Sequence, residues 1–305
     1  MASAEIDKHT GDNDNDDADR TINPALLEPL PGHATHRCVI DRRGALTHWA
    51  SQQGRVCAAA VVAGALNALL ARDNDDDALT LTVDDVLLEY QTAWRCQLGA
   101  VAAGIEGFEL DEAALLLESA PFELPSSDDP VTIEKLALLG RLVASYRKLS
   151  APDRARASTA CVGVPQLMSA LINLGRARGL AHVDVKIVLD RERLLQAAGA
   201  DGAWDRLWDS FAPGKGVERV EAEGLSVVLI LHLPRHYSLV FGLRERRAAA
   251  TGQNQRMARE VLTARKKQKP KEWVDFDACI VPLMQGPEGS KCHFVLVQQC
   301  ASDGT

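Results

Sequence analysis

Ser51-Gln52-Gln53-Gly54-Arg55-Val56-Cys57-Ala58-Ala59-Ala60-Val61-Val62-Ala63-Gly64-Ala65-Leu66 runs from a polar glutamine-glycine loop into a stretch of small apolar residues. From Ala58 to Ala65 only Ala, Val and Gly occur, so a helix here is apolar nearly all round and is expected inside the fold. Cys57 stands at the junction. A thiol in the first turn of a buried helix faces unpaired backbone N–H groups and the positive end of the macrodipole, and both favour the thiolate. The same residue also suits a plain role as a small hydrophobe at the edge of a core.

A second stretch, Val227-Val228-Leu229-Ile230-Leu231-His232-Leu233-Pro234-Arg235-His236-Tyr237-Ser238-Leu239-Val240-Phe241, reads as two strands joined by a tight turn. Both halves are nearly continuous apolar runs, which predicts a sheet covered on both faces. His236 is expected at the first position of the second strand, where a side chain can project from the sheet edge into a cleft. His232, in the preceding strand, reads as a core histidine. His293 precedes the strand-like Phe294-Val295-Leu296-Val297 and competes with His236, but only Asp303 follows it as a carboxylate. Trp273-Val274-Asp275-Phe276-Asp277 places two carboxylates of equal strand parity in another strand-like run. A helix-borne Cys, then a strand-borne His, then a carboxylate is the order of a relay: the imidazole takes the thiol proton and the carboxylate orients the ring.

These segments resemble the papain-like cysteine peptidase superfamily, where the nucleophile opens a central helix and the His begins a strand. The glutamine loop, Cys57 and the small-residue helix are similar to the nucleophile region of phytochelatin synthases and of the peptidase domains of bacteriocin exporters. His236 to Glu245 and Arg259 to Phe276 resemble the matching part of the basic immunoglobulin-like variable motif-containing protein family. The resemblance implies an α+β, papain-like fold: a central helix carrying Cys57, a helical middle, and an antiparallel sheet in the C-terminal half. It implies a thiol hydrolase (peptidase, isopeptidase or acyltransferase) with Cys57 as nucleophile, His236 as base, Asp275 orienting the ring, and Gln52 or Gln53 as oxyanion donor. Asp275 is preferred to Asp277 because the resemblance aligns it after Trp273. The pattern is broken in two places. Ser51 stands six residues before the Cys, where the superfamily has Gln, and Ala58 follows it, where Gly is common. These departures motivate a second expectation, a papain-like intracellular binding module without catalysis.

Composition sets the frame. The chain has 305 residues, 46% of them hydrophobic, and a net charge of −8, which argues against a general nucleic-acid binder. Its cysteines, at 38, 57, 96, 161, 279, 292 and 300, form no C-x-x-C pair and no zinc-ligand spacing, so neither a metal nor another cofactor is expected. Reduced thiols and the lack of a secretory h-region suggest the cytoplasm or nucleus. No apolar run reaches the ~20 residues of a membrane span. Residues 1–36 read as a disordered acidic tail, and 37–300 as a single domain, helical over 57–211 and sheet-forming over 183–300. Helices are expected from Thr82, over 109–119, from Thr132 with Ile133, Leu136, Gly140, Val143 and Tyr146 on one face, from Pro165, and over Trp204–Phe211; a strand is expected over Val183–Leu189. The basic stretch from Arg256 to Lys271 reads as a linker between strands. Its core, Arg265 to Lys271, is also a candidate import signal or dock for an acidic partner. The expected substrate is a peptide or protein.

Overall fold

The computed structural model describes residues 34–41, 48–49, 55–71, 80–110, 126–151, 157–180, 182–197, 199–212, 220–221, 227–247, 257–264, 270 and 272–300. Residues 1–33 of the acidic tail, Gln52, Gln53, most of the 109–119 helix, and residues 265–269 and 271 of the Arg265–Lys271 core lie outside them; residues 34–36, expected in the tail, instead open a strand, because they pair with the far end of a long hairpin strand. Among the described residues eight strands form one sheet: β1 Ala34–Ile40, β2 Val183–Leu189, β3 Val220–Glu221, β4 Val227–Leu233, β5 His236–Arg247, β6 Met257–Thr263, β7 Trp273–Asp275 and β8 His293–Gln299. The strands are neighbours in the order β2, β8, β4, β5, β1, β3, with β6 on β5 and β7 on β6. Every pairing is antiparallel except β1 with β3.

Strand β5 is the spine. Its first half pairs with β4 and its second half with β1, and β6 runs along the opposite edge. The β5–β6 register shifts between Val240 and Gly242. A Cβ built on Gly242 would lie 2.8 Å from the Val39 carbonyl oxygen and 3.1 Å from the Trp273 ring, so this close crossing requires glycine.

Among the described residues four helices are layered on one face: α1 Cys57–Leu70, α2 Val83–Ala103, α3 Pro130–Leu149 and α4 Val164–Ala177. Twelve residues of α1 are buried, as its all-round apolar sequence requires. The buried side chain of Asn67 ties it to the next segment by accepting from Leu81 N and donating to Leu81 O. Thr82 opens α2 with a capping box to Asp85, and Val86, Tyr90, Trp94 and Leu98 make the inward stripe. The cap of α3 is Asp129, with Pro130 in its first turn; Thr132, expected as the cap, donates its backbone N–H to the Asp129 carboxylate. Ile133, expected in the buried stripe, is 49% exposed, because Leu136, Leu139, Val143 and Tyr146 already fill the face toward α2.

On the sheet, Val228, Ile230, Tyr237, Leu239, Phe241, Val295 and Val297 meet these helices. Their neighbours Leu229, Leu231, Val240, Phe294 and Leu296 enter a second core on the other face. That core is closed by α5 Arg191–Gln196, α6 Gly199–Phe211, a π-helix Phe276–Ile280 and α7 Val281–Gln285. The two-sided burial of β4, β5 and β8 explains their unbroken apolar runs. The architecture is α+β, with helices and a largely antiparallel sheet. Among the described residues no helix is long and apolar enough to cross a membrane.

Two sequence expectations change here. Part of the basic stretch read as a linker is strand β6, where Val261 and Leu262 are buried on alternate faces and Glu260 holds Arg244 and Arg246. The strand-like run after Trp273 ends at Asp275, whose carboxylate accepts from Ala278 N at 2.7 Å and caps the π-helix. Asp277 is therefore helical, 3.7 Å from the Arg259 guanidinium.

Candidate functional site

Cys57 is the first residue of α1, half-buried against the helical core. Val56, the local cap position, has no side-chain acceptor. The cap comes from elsewhere in the sequence: Thr159 Oγ1 accepts from Ala58 N at 3.2 Å and donates to Arg55 O. Two tyrosines lie close enough to feel the Cys57 sulfur. Burial, then Cys57, pushes the Tyr237 phenol up; its hydroxyl donates to Val162 O at 3.1 Å. Burial, foremost, pushes the Tyr90 phenol well up too, and its buried hydroxyl has no hydrogen-bond partner among the described residues. Phenols held neutral in this way cannot accept the thiol proton.

Tyr237 belongs to a row of side chains across the same end of the sheet. It stands opposite His232 on β4, and His232 stands opposite His293 on β8. The His232 ring stacks flat on Tyr237, with centroids 4.1 Å apart and planes 7° from parallel. The two imidazoles meet Nδ1 to Nδ1 at 3.2 Å. Burial, then His293 and His236, pushes His232 down to about 4. His293 is also lowered, by burial, against the opposing pull of Asp190 and a bond to the Lys291 backbone. Asp190 follows β2, beside His293, and its carboxylate is taken by Arg193 through both the backbone N–H and the guanidinium. The row thus carries two neutral imidazoles at pH 7.

The residues grouped from sequence separate in space. His236 does open β5, but strand alternation sends it to the face opposite Tyr237; its cross-strand partner Leu233 packs into the second core. Cys57 lies on the other face, with Tyr237. Asp275 stands opposite Glu260, which stands opposite Arg244 near the far end of β5. At about 3.3 Å per residue, Arg244 is roughly 25 Å along the strand from His236, so Asp275 is out of reach as an orienting carboxylate. Gln52 lies outside the described residues. His232 and His293 are the residues that share the sheet face of Cys57. The sequence carried a signal for them, since both sit at even spacing from Val228, Ile230, Val295 and Val297, but it could not reveal the register that makes them neighbours.

Beside the histidine pair is a pocket of about 620 Å³. Its apolar wall comes from Val164, Pro165, Met168 and Ile172 of α4 and Ile187 of β2, and its other side from His232, His293, Ser290 and Lys291. The pocket is held open where the first turn of α4 and the 289–291 turn approach the end of β8. A Cβ on Gly289 would lie 1.8 Å from Met284 O, so that turn depends on glycine. Among the described residues no group of three or more His, Cys, Asp or Glu side chains is arranged to hold a metal ion.

No protein-family model matches the chain, and no curated protein or solved structure matches it. The functional reading therefore rests on the geometry.

Proposed function

We propose that this chain is a papain-like α+β domain that acts as a binding module, with the pocket beside His232 and His293 as its ligand site. The observation that supports the reading is strand register: Tyr237, in the same core as Cys57, and His236 are successive residues of β5 and so alternate between faces, and Asp275 pairs toward the far end of the sheet. A concave, largely apolar pocket with a few convergent polar groups is the usual form of a small-ligand site. Free cysteines at all seven positions fit work in a reducing compartment, cytoplasm or nucleus.

The test is the alkylation rate of Cys57 by iodoacetamide at pH 6, followed by mass spectrometry, in the wild type and in H236A and D275N. The binding reading expects slow labelling that both substitutions leave within about twofold. A relay would hold a reactive thiolate, and loss of its base would slow labelling by at least tenfold. That outcome would restore the hydrolase.

One observation favours thiol chemistry as a second reading. Cys57 is at the first turn of a buried helix and shares its face with His232. A cysteine peptidase or acyltransferase of this kind would use His232 as base. It would lose labelling on H232N and keep it on H236A, which separates it from the relay.

A further inference from the structure

We infer that the pocket takes a small, neutral, mostly apolar molecule carrying one hydroxyl, an alcohol or a phenol, with the hydroxyl on His232 Nε2. This rests on the reading of the pocket as a ligand site and names what would fill it.

The charge of the lining supports a neutral guest. Among the described residues of the wall Lys291 is the one cation, and its Nζ is already 2.9 Å from the Glu288 carboxylate. Both imidazoles are neutral at pH 7, as burial lowers each. Among the described residues, the lining offers a carboxylate head no uncompensated positive charge and an ammonium head no carboxylate. Either would lose hydration without a partner.

Proton bookkeeping at the histidine pair specifies the head group. Two Nδ1 atoms at 3.2 Å are bonded when one carries hydrogen and the other does not. His232 makes no other hydrogen bond among the described residues, so its Nε2 is available to the pocket that the ring lines. In one arrangement of the shared proton that Nε2 is an acceptor; in the other it is an N–H donor. A hydroxyl both donates and accepts and satisfies either arrangement, whereas a pure acceptor or a pure donor satisfies only one. Met168 supplies an adaptable wall and Ile172 and Ile187 a fixed one, which suits an apolar body of variable shape.

The experiment is a titration of the full chain with 4-propylphenol, propylbenzene and 4-propylbenzoate, read by amide chemical shifts and thermal shift. The phenol is expected to bind about tenfold more tightly than the hydrocarbon, and the benzoate more weakly than the phenol. H232N keeps a hydrogen-bonding group at the Nδ1 position but removes Nε2, so it should bring the phenol down to the hydrocarbon's affinity. Met168→Trp fills the pocket and should abolish binding; Ser169→Trp, at an exposed site on the rim, does the same should Met168→Trp prove unfolded. Binding led by the benzoate would overturn the neutral-hydroxyl inference and leave the pocket reading standing. Absence of binding by all three probes to a folded protein would overturn both.

Discussion

Replacing Thr159 by Val tests the way the first turn of α1 is held. Thr159 Oγ1 accepts from Ala58 N at 3.2 Å and donates to Arg55 O at 3.2 Å. Valine keeps the shape and removes both bonds. The Arg55 carbonyl keeps the Thr159 backbone N–H, at 3.0 Å, so the group left without a partner is the N–H of Ala58, a fully buried residue. An orphaned buried donor costs about 1–3 kcal/mol, and losing a helix N-cap costs a similar amount. At roughly 2–4 °C per kcal/mol for larger domains, a loss near 2 kcal/mol lowers Tm by about 4–8 °C. Urea denaturation should show a lower midpoint with an unchanged slope. Thr159→Ser keeps the hydroxyl and should stay within about 0.5 kcal/mol of the wild type. Because the frayed turn begins at Cys57, T159V should also label faster with iodoacetamide than T159S. Equal stability of T159V and the wild type would refute the idea that a hydroxyl from a distant loop caps this helix.

Other predictions concern the histidine row and the packing around it. His232 titrates near 4 when folded and near 6.5 when unfolded, so the unfolded chain binds its proton first as pH falls. The stability it permits is complete above about pH 6.5 and is lost down to about pH 4, by roughly 2–3 kcal/mol, with His293 adding in the same direction; H232N should flatten the pH dependence of the urea midpoint over that window. Glu260 is the shared partner of Arg244 and Arg246, and Arg244 is buried over the Trp273 ring. E260A should therefore cost about 3–5 kcal/mol by chemical denaturation, more than the same change at the exposed Glu288. Gly289→Ala drives a Cβ into the Met284 carbonyl, and a cost of about 3 kcal/mol or more is expected, with chemical-shift changes concentrated at Lys291 and His293.

Much of the fold can be read from residue patterns because local chemistry specifies it. The Ala-Val-Gly run requires a buried helix from Cys57. The apolar runs on either side of Pro234-Arg235 require a hairpin with both faces covered. Thr82 with Asp85 marks a helix start. The site is less legible for a specific reason. A one-residue difference in strand position moves a side chain through the sheet, so His236 and Tyr237 exchange roles on a distinction that composition does not carry. The β8 strand lies between β2 and β4, and this long-range order is what brings His293 against His232. Thr159 is similarly silent, since nothing near it in the sequence indicates that it will cap a helix begun a hundred residues earlier.

The burial of α1 also has a consequence during synthesis. The strands that cover this apolar helix, β4, β5 and β8, are made long after it. At about 5–20 residues per second, roughly 10–30 s pass between completion of α1 and emergence of the β4–β5 hairpin. For that interval α1 lacks the strands that complete its burial. The nascent chain is therefore expected to engage holding chaperones, and a transcript stalled between Leu70 and Val227 should yield insoluble product.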